Sequence, residues 1–126
     1  MTIYLIMSVA QAAELIKGCK ALVVGVGAGM GKDSGLPDFR GNEGFWNNYP
    51  PYRGKFSFTD CANPDFQIKH PHLFWGFYGS RLAMYREKHP HKGFEAIKNI
   101  AKLLGSESLF VVTSNVDGHF TKAGFT

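Results

Sequence analysis

Residues 20–41 read KALVVGVGAGMGKDSGLPDFRG, and the passage from an apolar run into alternating glycines decides the fold class. Ala21–Val26 is rich in β-branched residues, the composition of a strand buried in a parallel sheet. Gly25, Gly27, Gly29 and Gly31 follow at every second position. A glycine-rich turn between a strand and a helix lets another group come close to the backbone and presents bare N–H groups to an anion such as phosphate.

Two glycine motifs fail on inspection. The dinucleotide fingerprint requires Gly or Ala three positions after its second Gly, but that position is Met30 counting from Gly25 and Lys32 counting from Gly27. A P-loop needs Gly where Val26 stands, and Ser or Thr where Asp33 follows Gly31-Lys32.

Working outward, Ser8-Val9-Ala10-Gln11 has the spacing of a capping box, which predicts a helix from Val9 to Lys17 stopped by a left-handed Gly18. On the other side, residues 41–52 mix breakers with Phe45, Trp46, Tyr49 and Tyr52. This reads as an irregular loop folded over something apolar, either its own core or a ligand. Pro71 suits the first turn of a helix whose apolar face runs from Leu73 to Tyr85 and which ends at Lys88-His89-Pro90. Gly76 and Gly79 inside it predict close approach of another backbone. A third helix is expected over Lys92–Leu104, closed by Gly105. Leu109–Val112 is the second strand, and it discharges Thr113-Ser114-Asn115-Val116-Asp117 at its carboxyl end, where open parallel sheets place ligand chemistry. Both strands are therefore expected to be parallel neighbours.

The chain has 126 residues, a hydrophobic share of 44% and a net charge of +4, which suit one globular domain. Its basic residues are scattered, with only Arg81, Arg86, Lys88 and Lys92 approaching a cluster, so nucleic acid is not the expected partner. The apolar start Ile3–Met7 is too short for a membrane span and has no basic flank, which makes the cytoplasm the default. Cys19 and Cys61 offer neither a zinc ribbon nor a disulfide framework. His70, His72, His89 and His91 sit at helix boundaries without Cys or carboxylate partners at ligand spacing, and read as capping or surface residues.

Gly27-Ala28-Gly29-Met30-Gly31-Lys32-Asp33-Ser34-Gly35-Leu36-Pro37-Asp38-Phe39-Arg40 resembles the first signature of the sirtuin (Sir2) family of NAD-dependent protein deacylases, Gly-Ala-Gly-Ile-Ser-x-x-Ser-Gly-Ile-Pro-Asp-Phe-Arg. Met30 and Leu36 replace Ile conservatively, and Gly31 stands where the family has Ser. Thr113-Ser114-Asn115-Val116-Asp117 with Ala123-Gly124 resembles the second signature, Thr-Gln-Asn-Ile-Asp…Ala-Gly, with Ser114 for Gln and His119-Phe120 where the family has Leu-His.

The resemblance implies an α/β fold: a partial Rossmann-like parallel sheet flanked by helices, truncated, with residues 1–126 forming the amino-terminal part of an NAD-binding catalytic domain. Residues 41–105 would supply the cofactor loop and a helical insert. By position, Gly27, Ala28 and Gly29 would bring N–H groups to the NAD pyrophosphate, Arg40 would add charge, Asp38 would hold the loop, and Phe39 would cover the reactive ribose carbon. Asn115 and Asp117 would line the nicotinamide pocket, and Ser114 occupies a ribose-contacting position. The family's general-base His and zinc-binding Cys residues lie downstream of the matched segment. The chain alone is therefore expected not to deacylate acyl-lysine protein, to hold no zinc, and to self-associate through an unfinished sheet. His119 is the one candidate for a substitute base. Two alternatives stay open: a sirtuin-related ADP-ribosyltransferase or NAD hydrolase, and a non-catalytic nucleotide-binding fragment.

Overall fold

The computed structural model describes residues 8–37, 42–105 and 108–125. Helix α1 (Val9–Gly18) begins on the capping box: Ser8 Oγ accepts from the Gln11 amide at 3.2 Å and Gln11 Oε1 accepts from the Ser8 amide at 2.9 Å. Gly18 is not the left-handed stop expected of it. It remains helical, and Cys19 ends the helix in an extended conformation (φ −83°, ψ 149°). An extended exit suits a chain that enters a strand within three residues rather than reversing.

Strands β1 (Leu22–Val26) and β2 (Leu109–Thr113) are parallel neighbours, with Val23 opposite Phe110 and Gly25 opposite Val112. Side chains alternate between faces along each strand. Leu22, Val24, Val26, Leu109 and Val111 are half-buried on one face, while Val23 (68% exposed), Phe110 (66%) and Val112 (52%) stand on the other. Parallel strands are normally covered on both faces, and among the described residues this pair is covered on one.

The crossover from β1 to β2 carries most of the core. A 3-10 helix (Ala28–Ser34) leads to α2 (Asn42–Asn48), a 3-10 turn (Pro50–Tyr52), α3 (Phe58–Cys61), α4 (Pro64–Lys69), α5 (Pro71–Glu87) and α6 (Lys92–Leu104). The expected irregular loop over 41–52 is thus mostly helical. Phe45 and Tyr49, one turn apart, face Phe77 of α5 with ring centroids 5.7 and 5.2 Å away, and Tyr52 stacks on Tyr49 at 5.8 Å. Trp46 Nε1 donates to Phe56 O (2.8 Å) and Tyr52 Oη to Leu73 O (2.9 Å), satisfying the polar ends of buried aromatics. Phe45, Tyr49 and Tyr52 thus pack into a core shared with Cys61, Phe66 and Phe77.

Helices α5 and α6 follow the expected boundaries, and Gly105 closes α6 at φ 97°. The glycines of α5 do not meet a backbone. A Cβ on Gly76 would lie 3.4 Å from Tyr52 Oη, and one on Gly79 would meet nothing within 4 Å. Cys61 is buried in the aromatic core, and that burial, aided by Asp60, raises its thiol pKa to about 11, so it packs as an apolar group. Helix α7 (His119–Lys122) follows β2. Among the described residues no helix is long and apolar enough to cross a membrane.

Candidate functional site

The two strand ends are tied together by the side chains that leave them. Thr113 Oγ1 donates to Val26 O (3.1 Å), Asn115 Nδ2 donates to Gly27 O (2.8 Å), and the Asn115 amide donates back to Thr113 Oγ1 (3.0 Å). Asn115 therefore holds the start of the glycine string against the end of β2. Adjoining this tie is a cavity of about 100 Å³, on the scale of cavities that hold a single aromatic ring. Ala28, Leu36 and Pro37 form one wall, Ser114, Asn115 and Asp117 a second, and Arg81 with Tyr85 of α5 a third.

The glycine string is open on its outer side, because a Cβ built on Gly27 or Gly29 meets nothing within 4 Å. A phosphate could approach the backbone there without obstruction. Its inner side is anchored. His91 Nδ1 accepts from the Gly93 amide (3.0 Å), so Nε2 carries the proton and donates to Met30 O (3.0 Å), while the His91 amide donates to Ser34 Oγ (3.0 Å). The capping role expected for this histidine is what it performs, and it also fastens the loop to α6. Gly31 is buried against Leu36: a Cβ there would lie 2.8 Å from Leu36 Cδ1 and 3.3 Å from Leu36 Cβ. Leu36 fills the space that a side chain at position 31 would need.

Of the site residues expected from the sequence, Ala28, Ser114, Asn115 and Asp117 come together around the cavity; Gly27 and Gly29 flank Ala28 and are exposed without lining it. Asp38, Phe39 and Arg40 lie outside the described residues. Asp117 Oδ1 accepts from the His119 amide at 2.9 Å, which turns its carboxylate to the start of α7. His119 does not line the cavity. It is fully buried against Phe94, with neither ring nitrogen hydrogen-bonded. Burial lowers its pKa; Lys122, His91 and His89 lower it further, and Asp117 opposes them.

Sequence reasoning missed Arg81 and Tyr85. The Arg81 guanidinium lies 5.2 Å from the Phe77 ring centroid and donates to Tyr85 Oη from Nε (3.0 Å) and Nη2 (2.6 Å). Their i,i+4 spacing was visible, but nothing local indicated which face of α5 meets the glycine string. The open loop and the hydroxyl, amide and carboxylate at the end of β2 fit an NAD-type ligand. Zinc finds no such fit, as no group of three His, Cys, Asp or Glu side chains suited to a metal occurs among the described residues.

Known proteins share this sequence pattern and fold. The chain is 34% identical over 111 residues to an NAD-dependent protein deacylase of Candida albicans, covering 88% of this chain and 34% of that protein. It is 32% identical over 121 residues to an NAD-dependent protein deacetylase of Sulfolobus acidocaldarius, covering 96% and 44%. It superposes on a Sir2 homologue in complex with NAD with a TM-score of 0.74 at 30% identity, over 91% of this chain and 41% of that one. A Sir2 homologue mutant bound to 2'-O-acetyl ADP ribose gives 0.75 at 30% identity, over 95% and 44%. The chain thus spans less than half the length of these relatives. The profile of the Sir2 family itself matches residues 27–126, from the first residue of the glycine signature onward, and with both signatures meeting at one cavity the chain belongs to the Sir2 family.

Proposed function

We propose that residues 1–126 form the amino-terminal, NAD-binding part of an NAD-dependent protein deacylase whose substrate class is acyl-lysine protein. The observation that carries this reading is the Asn115 Nδ2 to Gly27 O bond of 2.8 Å, which joins the two signatures beside a ring-sized cavity. Bound NAD would supply an electrophilic ribose carbon. On this reading the chain's own residues bind and orient it. Gly27, Ala28 and Gly29 offer backbone amides to the pyrophosphate. Ser114 and Asn115 hold the ribose side, and Asp117 accepts from the nicotinamide carboxamide. Arg40 would add a charge-assisted bond to phosphate, Asp38 would hold the loop, and Phe39 would keep water from the reacting carbon. The relatives' names and the NAD complex of a Sir2 homologue support the choice of cofactor.

Calorimetric titration with NAD tests this. Asn115→Ala removes the tie to Gly27 and should weaken NAD binding by about tenfold, equivalent to ~1.4 kcal/mol. A chain that shows no heat of binding at millimolar NAD, or an Asn115→Ala variant that binds as the parent does, would refute the assignment.

A further inference from the structure

Lys122 lies at the end of α7, and its ammonium donates to three backbone carbonyls at once: Tyr85 O (2.7 Å), Arg86 O (2.8 Å) and Lys88 O (2.8 Å). Tyr85 and Arg86 belong to the last turn of α5, where carbonyls have no intrahelical partner and the helix dipole favours a cation. All three N–H donors of the ammonium are used. Three acceptors converging on one point suit a tetrahedral ammonium and not the planar fork of a guanidinium.

We infer that Lys122 is a positioning residue that fixes the distance between two walls of the cavity, an inference that rests on the NAD-binding reading above. One wall is α5, which carries Arg81 and Tyr85. The other is the end of β2, which carries Ser114, Asn115 and Asp117. Helix α7 has four residues, too few to persist without outside support. Asp117 Oδ1 accepts from the first amide of that helix, so the cavity wall moves with α7. Besides Lys122, α7 is held by Lys98 Nζ, which donates to Ala123 O (2.9 Å), and by Phe120 against Phe94 (ring centroids 4.9 Å apart). Those contacts fasten it to α6. Lys122 alone among these joins it to α5, 34 to 37 residues earlier in the chain.

Lys122→Ala and Lys122→Arg, made in the full chain, test the inference through two readouts. Amide exchange at His119 should quicken by about tenfold in Lys122→Ala while Val111 keeps its rate. NAD affinity should fall by about tenfold, the loss expected for displacing one wall of a preorganised site. n-Propylammonium at tens of millimolar, which replaces the missing ammonium, should restore both by the mass action of a bound ligand. Tetramethylammonium, with the same charge and no N–H donor, should restore neither, and Lys122→Arg should stay as weak as Lys122→Ala. The inference is overturned if the parent binds NAD and Lys122→Ala binds it equally well, if His119 exchange is unchanged, or if the two ammonium ions act alike. A parent that does not bind NAD instead condemns the NAD-binding reading, and the positioning role falls with it.

Discussion

Gly31→Ala tests whether the glycine string is built around Leu36. Gly31 is buried and is not among the glycines with positive φ, so its backbone conformation is open to any residue. At an unobstructed position of that kind, alanine would stabilise by about 0.4–1 kcal/mol through restriction of the unfolded chain. Here the added Cβ meets Leu36 Cδ1 at 2.8 Å, Cβ at 3.3 Å and Cγ at 3.5 Å. The Cδ1 methyl can rotate away. The Cβ cannot, because the Leu36 amide donates to Gly31 O at 3.1 Å and holds the two backbones together. Overpacking of a buried site costs about 1–3 kcal/mol, so the net expectation is a loss of roughly 0.5–2 kcal/mol. Leu36→Ala alone should cost about 2 kcal/mol, the low end for a buried leucine, since its side chain borders open grooves on both sides. Leu36→Ala removes the Cδ1 and Cγ contacts and leaves the one to Cβ at 3.3 Å, so Gly31→Ala combined with Leu36→Ala should be more stable than the sum of the single losses by about 1 kcal/mol. Urea denaturation at low protein concentration reads all three. If Gly31→Ala is more stable than the parent, or if the losses add to within about 0.5 kcal/mol, Leu36 is not what requires the glycine.

His119→Leu replaces a buried ring with two unpartnered nitrogens and should stabilise the fold by about 1 kcal/mol or more at neutral pH. The folded-state pKa of His119 lies below its ordinary 6.5, so the unfolded chain binds the proton more readily, and stability present above pH 6.5 is lost as pH falls through the folded-state value. Denaturation midpoints from pH 7.5 downward should show that loss in the parent and a smaller one in His119→Leu; equal acid losses would contradict the burial argument. The bare sheet face of Val23, Phe110 and Val112 should drive self-association. Phe110→Lys should abolish it while changing stability by no more than about 0.5 kcal/mol, and sedimentation of a parent that stays monomeric across a dilution series would refute it.

What the sequence disclosed depended on how far apart the interacting residues lie. Ser8 and Gln11 cap within one turn, Pro71 acts at its own position, and the apolar stripe of α6 repeats within the helix, so each element was legible from a few neighbouring residues. Helix α2 was not, because Gly44, Asn47, Asn48 and Pro50 read as breakers. What makes the segment helical is burial of Phe45 and Tyr49 against Phe77, about thirty residues on, a tertiary term that overrides propensity. Gly31 disclosed the loss of a hydroxyl, but only the structure shows Leu36 packed against that position.

The site divides along the same line. Ala28, Ser114, Asn115 and Asp117 line the cavity and Gly27 is tied to Asn115 beside it, and on the proposed NAD-binding reading their residue types and spacing are what the chemistry requires. His91 and Lys122 act on the site through backbone carbonyls: Met30 lies 61 positions before His91, and the three acceptors of Lys122 lie 34 to 37 positions before it. A carbonyl is common to every residue, so a bond to one leaves no mark on the sequence of its acceptor. Nothing in the identity of Met30, Tyr85, Arg86 or Lys88 records that bond. The residues that hold this site in shape therefore look, in sequence, like a helix cap and a surface lysine, and substitutions at them should alter ligand affinity without touching any group that contacts the ligand.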